Sequence, residues 1–369
     1  MRVLLIGEFS GLHTNLMKGL IELGCRVDMI SYGDTFKKIG AGINVSSAKQ
    51  FPFSLLENEL NIPFKNLVQG LDKYDVVQFV NPLVTHTRLQ IALGSLRINN
   101  ELILRLMEKA KKSFLLAAGD DHYYFNAIEN NLFKYNPIKD ALKYDMPYYK
   151  RWFSQCWSNE ILREWNKQLV SYVNGVIPCA YEYDISYTFA GIKNKKNYIP
   201  FPFDINSVPY KDNCLKDKLK VVHGLNRYGF KGTKFVESAF NDLRKYPNIN
   251  CEILERLSYV EFCKRIQNSN VVIDQLNSYS YAYTAINALA MGKVIITGCE
   301  SDFLNKYNIE KCASIINGIP ESNDLIKIIR EISSDSYSLG VRGAEGRDFI
   351  NTHHNYISIA KKYLETWSS

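Results

Sequence analysis

The chain has 369 residues, 46% of them hydrophobic and 22% charged, and its 45 Lys and Arg against 38 Asp and Glu leave a net charge of +7. At about 150 residues per domain this length predicts two domains, and the apolar content excludes disorder as the main state. The mild basic excess suits anionic ligands or an acidic membrane surface, and the absence of a dense Arg/Lys stripe argues against a nucleic-acid partner.

Residues 3–6 are a short apolar run. A Gly-bearing loop follows, then a helical pattern from about Thr14 to Leu23, closed by Gly24 before a second apolar run at 27–30. Strand, loop, helix and strand in this order make a βαβ unit with parallel strands. Asp75–Val80 reads as the next buried strand, 97–112 as an amphipathic helix and Ser113–Ala118 as a further strand. The N-terminal part is therefore α/β, a doubly wound sheet. Residues 120–170 are crowded with aromatics and lack strand alternation. They predict loops and helices beyond a strand's C-terminal end, where open α/β sheets place ligands. Gly175–Cys179 is the next strand, and the Pro-punctuated Ile199–Asn206 reads as an interdomain link.

The alternation restarts at Lys220. Strands are predicted at 219–223, 249–254, 271–274 and 294–297, and helices at 233–245 and 281–291. Ser258-x-x-Glu261 is a capping box opening a helix to about Gln267, and 355–369 read as a terminal helix. Two α/β domains follow, 1–200 and 201–349, and residues 350–369 hold the terminal helix. Such a pair leaves a cleft between two sets of strand ends, suited to two ligands.

The 8 cysteines form no C-x-x-C pair and no zinc spacing, which predicts reduced thiols in a cytosolic protein. MRVLLIG turns polar at once, and no stretch reaches the ~20 apolar residues of a membrane span. The expectation is a cytoplasmic protein without a transmembrane anchor.

Four motifs carry chemistry. Gly7-Glu8-Phe9-Ser10-Gly11 is a Gly-bearing loop before a helix N-terminus, either an anion site with Gly11 against the ligand or a plain tight turn. It is not G-x-G-x-x-G, and Ile30-Ser31-Tyr32 offers no acidic residue after the second strand, so a nicotinamide site is disfavoured. His223-Gly224-Leu225-Asn226-Arg227-Tyr228-Gly229-Phe230-Lys231-Gly232-Thr233 runs from a strand end into a helix. Arg227 and Lys231 can neutralise a diphosphate while backbone N–H groups complete the cradle; His223, Asn226 and Gly232 belong to the same loop. The alternative is a helix cap at Thr233 with exposed bases. In the third motif the strand 271–274 ends in a polar loop and a helix N-terminus: Tyr279, Tyr281 and Tyr283 either stack on a ligand's ring or pack, and the helix N-terminus at Tyr283–Thr284 can stabilise negative charge. The fourth is Ala117-Ala118-Gly119-Asp120-Asp121-His122. Adjacent carboxylates after a strand can supply a base or anchor an acceptor hydroxyl, or they can cap a helix. His13 and His86 can line the cleft or be structural, and Tyr123 and Trp152 are candidate contacts for a ligand there. The stretch Tyr148-Tyr149-Lys150-Arg151-Trp152-Phe153 suits either a membrane interface with a lipid-linked acceptor or an aromatic cleft or core.

The run VVHGLNRYGFKGT, continuing to NVVIDQLNSYSYAYTAINALAMGKVIITG, resembles the donor half of GT-B glycosyltransferases, specifically the large retaining group called glycosyltransferase family four. The resemblance covers about residues 219–298 and implies two Rossmann-like domains, with the C-terminal helix, 350–369, packing back on the first. It also implies a nucleotide-diphosphate sugar as substrate; no other cofactor is expected, and no metal, because Arg227 and Lys231 can carry the charge of the leaving diphosphate. Arg227 and Lys231 match the family's basic pair, at a spacing of four rather than five. The family's Glu-x7-Glu falls here on Tyr279 and Asn287, so both carboxylates are missing and Asn287 is left to meet the ribose. Asp121 matches the aspartate of the family's His-Gly-x-Asp, whose histidine is replaced by Ala118. The resemblance implies transfer of a sugar to a glycan or lipid-linked acceptor with retention, as in surface-polysaccharide assembly. If the reaction inverts instead, Asp121, Asp120 or His122 is the expected base. A nucleotide-sugar epimerase and a non-catalytic nucleotide- or carbohydrate-binding protein are the alternatives. Partners expected are the donor, the acceptor and a peripheral membrane contact.

Overall fold

The computed structural model describes residues 1–31, 43–44, 70–83, 97–144, 159–225, 228–255 and 257–369. In chain order they form β1 (Arg2–Ile6), α1 (Leu12–Glu22), β2 (Arg26–Ser31), β3 (Ile43–Asn44), β4 (Tyr74–Phe79), α2 (Arg97–Glu108) and β5 (Ala110–Ala117). Next come α3 (His122–Glu129), α4 (Pro137–Tyr144), α5 (Glu160–Tyr172), β6 (Gly175–Pro178) and α6 (Tyr181–Phe189). The remainder holds β7 (Leu219–Leu225), α7 (Thr233–Leu243), β8 (Ile249–Glu255), α8 (Tyr259–Gln267), β9 (Val271–Ile273), α9 (Tyr283–Ala290) and β10 (Val294–Thr297). It ends with α10 (Ser301–Tyr307), β11 (Ile315–Asn317), α11 (Ser322–Ser334), α12 (Leu339–His353) and α13 (Tyr356–Ser368).

The chain divides into two compact units. Unit 1 comprises residues 1–129, 151–202 and 356–369, and unit 2 comprises 130–150 and 203–355. The sequence reading kept 130–150 with the first domain. Those residues go instead with unit 2, where the backbone N–H of Lys134 donates to the Tyr279 hydroxyl and Asn277 Nδ2 donates to Asp140.

Unit 1 is a six-stranded sheet in the order β3-β2-β1-β4-β5-β6, and unit 2 a five-stranded sheet in the order β11-β10-β9-β7-β8. Each pairing is parallel. Sheets covered on both faces need strands that are apolar throughout, and Val3, Leu4, Leu5, Val77, Leu115, Val221, Val271, Val272 and Ile295 are all fully enclosed. In both sheets the chain reverses its direction of growth beside the first strand, the switch point where such folds open a crevice for ligands.

Helix α13 packs on α1 within unit 1. Gly19 makes this possible: a Cβ there would stand 2.4 Å from the Tyr356 carbonyl oxygen. In unit 2 the side chain of Ser258 accepts from the N–H of Glu261, opening α8 where the capping box predicted. Among the described residues no helix is long and apolar enough to cross a membrane.

Candidate functional site

In unit 2 the site is built at the C-terminal ends of β7 and β9. The loop after β7 turns into α7 at Gly232, whose φ of 75° is left-handed and suits glycine. A Cβ at Gly232 would stand 3.1 Å from Leu276, and the Leu276 N–H donates to the Lys231 carbonyl. Asn277 Nδ2 donates to the Gly229 carbonyl, so the two loops are tied together.

Onto this frame the structure brings Lys231, Thr284 and Asn287. Lys231 Nζ lies 2.8 Å from Asp274 Oδ1 and 3.4 Å from Thr284 Oγ1, in the first turn of α9. Asn287, one turn further along α9, donates from Nδ2 to the Tyr259 hydroxyl at 3.3 Å and keeps a buried Oδ1 without a hydrogen bond. An ammonium group beside a helix N-terminus is an arrangement that attracts a phosphate or diphosphate.

His223 is not part of a binding surface. It is fully buried, and burial followed by the charge of Lys231 pushes its pKa down to about 4. The ring is therefore neutral. Nδ1 donates to the Ile273 carbonyl and Nε2 accepts from the Thr233 hydroxyl, so His223 pins α7 to the sheet. Tyr281 is also enclosed: its hydroxyl meets His354 Nε2 at 2.9 Å, and its ring packs on Phe303 and Phe349. Tyr283 is buried with its ring against Phe203. Packing, the alternative weighed for these tyrosines, is what the structure shows. Asn226 and Arg227 lie outside the described residues, as do His86 and Trp152.

In unit 1 the loop after β1 is closed to anions. Glu8 is buried; its Oε1 accepts from the Gly11 N–H, and its Oε2 accepts from the N–H and hydroxyl of Thr14. The chain's own carboxylate occupies the positive end of α1, so the donor contact expected at Gly11 is already taken. His13, expected to line a cleft, is fully buried with its pKa pushed down to about 4 by burial. Nδ1 donates to the Gly7 carbonyl and Nε2 accepts from Gln78.

The turn between β5 and α3 carries the acidic pair. Asn81 Nδ2 donates to the carbonyls of Ala118 and Asp120 and holds this turn. Asp121 is fully buried; Oδ1 accepts from the Tyr124 N–H and Oδ2 from the Tyr187 hydroxyl. It caps α3, and burial raises its pKa to about 6 against the pull of those two bonds. Asp120 beside it is half-buried. His122 is buried with no hydrogen bond on Nδ1, and burial, then Arg163 and Lys167, lowers its pKa to about 4. Tyr123 is buried, its ring 4.6 Å from that of Tyr187.

Two residues that sequence reasoning left unassigned matter here. The sequence pattern places Asp274 only at a strand end. A carboxylate closing an otherwise apolar strand, VVID, was the available signal. Glu8 was read only as part of a glycine loop; its capping reach to residues three and six positions on has no motif of its own.

No protein-family model matches the chain, and no curated protein matches it. Solved structures do. Anabaena HepE in complex with UDP-glucose superposes with a TM-score of 0.60 at 12% identity, over 100% of this chain and 99% of that one. Sucrose-phosphate synthase from Thermosynechococcus elongatus gives 0.62 at 12% identity, over 100% and 98%. An alpha-glucosyltransferase in complex with UDP and a 13-mer DNA gives 0.57 at 11% identity, over 100% of both chains. The chain thus has the GT-B fold, with two Rossmann-like doubly wound units.

Proposed function

We propose that this protein is a glycosyltransferase that takes a sugar from a nucleotide-diphosphate donor. Unit 2 binds the donor and unit 1 handles a glycan or lipid-linked saccharide acceptor. The reading is supported by the GT-B fold, shared over the whole chain with proteins crystallised with UDP or UDP-glucose. The observation that carries it is the ammonium of Lys231 set against the first turn of α9 at the sheet's switch point. Departure of a nucleoside diphosphate builds negative charge, and a fixed ammonium with a helix N-terminus stabilises that charge without moving. Protein cations then do what a metal does elsewhere. Asn287 is assigned to the donor ribose, its unbonded Oδ1 accepting from a hydroxyl.

In unit 1, Asp120 and His122 are assigned to the acceptor hydroxyl and Asp121 to the turn that carries them. Retention of configuration and a role in surface-polysaccharide assembly are the expectations of the family resemblance, as is peripheral contact with a membrane.

The test is binding of nucleoside diphosphates by calorimetry, followed by donor turnover with and without acceptor saccharides. One nucleoside diphosphate should bind, and Lys231→Ala should weaken it about 10- to 100-fold, the loss of one or two charge-assisted hydrogen bonds. Binding of none of them by the wild-type chain would overturn the reading. Turnover without any acceptor would favour the epimerase alternative.

A further inference from the structure

Asp274 stands at the C-terminal end of β9, the central strand of unit 2's sheet. Its N–H donates to the Ile296 carbonyl, so its backbone is locked in the ladder, and its side chain is fully enclosed. Among the described residues its carboxylate takes no hydrogen bond; its one close partner is Lys231 Nζ at 2.8 Å. A buried carboxylate so sparsely satisfied does little for packing, since an apolar side chain would fill the same strand end without desolvating a charge. Its effect falls on the lysine.

Lys231 is held at both ends. Its carbonyl accepts from Leu276, and its Nζ lies between Asp274 and Thr284. A lysine stem has four rotatable bonds and a compact, strongly hydrated charge, so without an anchor the ammonium turns toward water. A carboxylate beneath it selects the one arrangement that faces the N-terminus of α9. Kinases use a lysine–glutamate pair in the same physical sense.

We propose that Asp274 is a positioning residue for Lys231: it fixes the ammonium where the diphosphate of a nucleotide sugar sits, and does not itself touch the ligand. This rests on the donor site proposed above. It predicts dependence on phosphate and not on base or ribose.

The test compares UDP with uridine by calorimetry on wild type, Asp274→Asn, Lys231→Met and the double variant, once UDP or another nucleoside diphosphate is found to bind. Asp274→Asn should weaken the diphosphate about tenfold and leave the nucleoside unchanged. In the Lys231→Met background the same change should have no further effect, because the residue it positions is gone. Asp274→Glu, which keeps the charge and moves it by one methylene, should fall between wild type and Asp274→Asn; it also serves if Asp274→Asn does not fold. Unchanged or tighter diphosphate binding in a folded Asp274→Asn overturns the proposal, as does an equal loss for nucleoside and diphosphate. A wild-type chain that binds no nucleoside diphosphate overturns the donor site as well. Binding to wild type with indifference at position 274 overturns only this inference.

Discussion

The loops that follow the first strand of each unit are built alike and do opposite things. Each leaves its strand through glycines and enters its helix at a left-handed glycine, Gly11 at φ 92° and Gly232 at φ 75°. Each rests on a buried neutral histidine, His13 or His223, whose Nδ1 donates to a backbone carbonyl and whose Nε2 accepts from a side chain. The difference is the sign of the charge each loop carries. In unit 1 Glu8 turns inward and satisfies the helix itself. In unit 2 the loop carries Lys231, which faces the N-terminus of a second helix. The same scaffold is self-capped in one unit and in the other presents a lysine to a helix N-terminus.

The largest effect expected from this comparison concerns what the two loops share. Both histidines are held at about 4, below the ordinary value of 6.5. Their stabilising contribution is complete above pH 6.5 and is lost as pH falls toward 4, because the unfolded chain takes up protons that the folded chain refuses. Each is worth on the order of 3 kcal/mol over that window. Asp121, raised to about 6, acts in the opposite sense: its contribution is lost as pH rises from 3.8 to 6, so it offsets part of the fall on acidification. His122, also lowered to about 4, adds to the fall, so denaturant melts between pH 7 and 4 should drop most steeply at about pH 5.5. His13→Asn should flatten the curve for unit 1 alone; an unaltered slope would show the ring to be accessible.

The next effect breaks the difference between the loops. Glu8→Ala removes three hydrogen bonds at the start of α1 and should cost about 2 kcal/mol. It also opens a helix N-terminus, so inorganic phosphate should raise the variant's Tm more than the wild type's. Equal responses would mean that Glu8 does not exclude anions. The smallest effect tests the shared turn. Gly232→Ala keeps a left-handed residue and brings a Cβ within 3.1 Å of Leu276, costing about 1 kcal/mol and displacing Lys231. Tm and diphosphate affinity should fall together; a fall in Tm alone would separate the turn from the site.

Local pattern was enough for much of the fold. The apolar runs at 3–6, 75–80, 219–223, 271–274 and 294–297 are strands because short apolar segments bounded by glycine and polar residues have no other stable use between amphipathic helices. The terminal helix was equally plain. Less visible were α10, β11, α11 and α12, the last with glycines at 340, 343 and 346 that weaken a helical reading until packing supplies the reason. A Cβ at Gly343 would meet the Gly292 carbonyl at 2.4 Å.

For the site, the sequence by itself determined which residues stand near which strand ends: Lys231 in its K-G-T turn, Thr284 and Asn287 on one helix face, the Asp120–Asp121 pair after β5. Spacing along a strand or helix fixes these neighbours. Tertiary structure decided which side chains are already spent. Glu8 fills α1, His13 and His223 serve as internal struts, Tyr281 is bound to His354, and Asp121 caps α3. It also paired Lys231 with Asp274, residues 43 positions apart that follow different strands. A hydrogen-bonding group looks the same in a sequence whether its partner is the protein or a ligand, and only the fold shows which donors and acceptors meet.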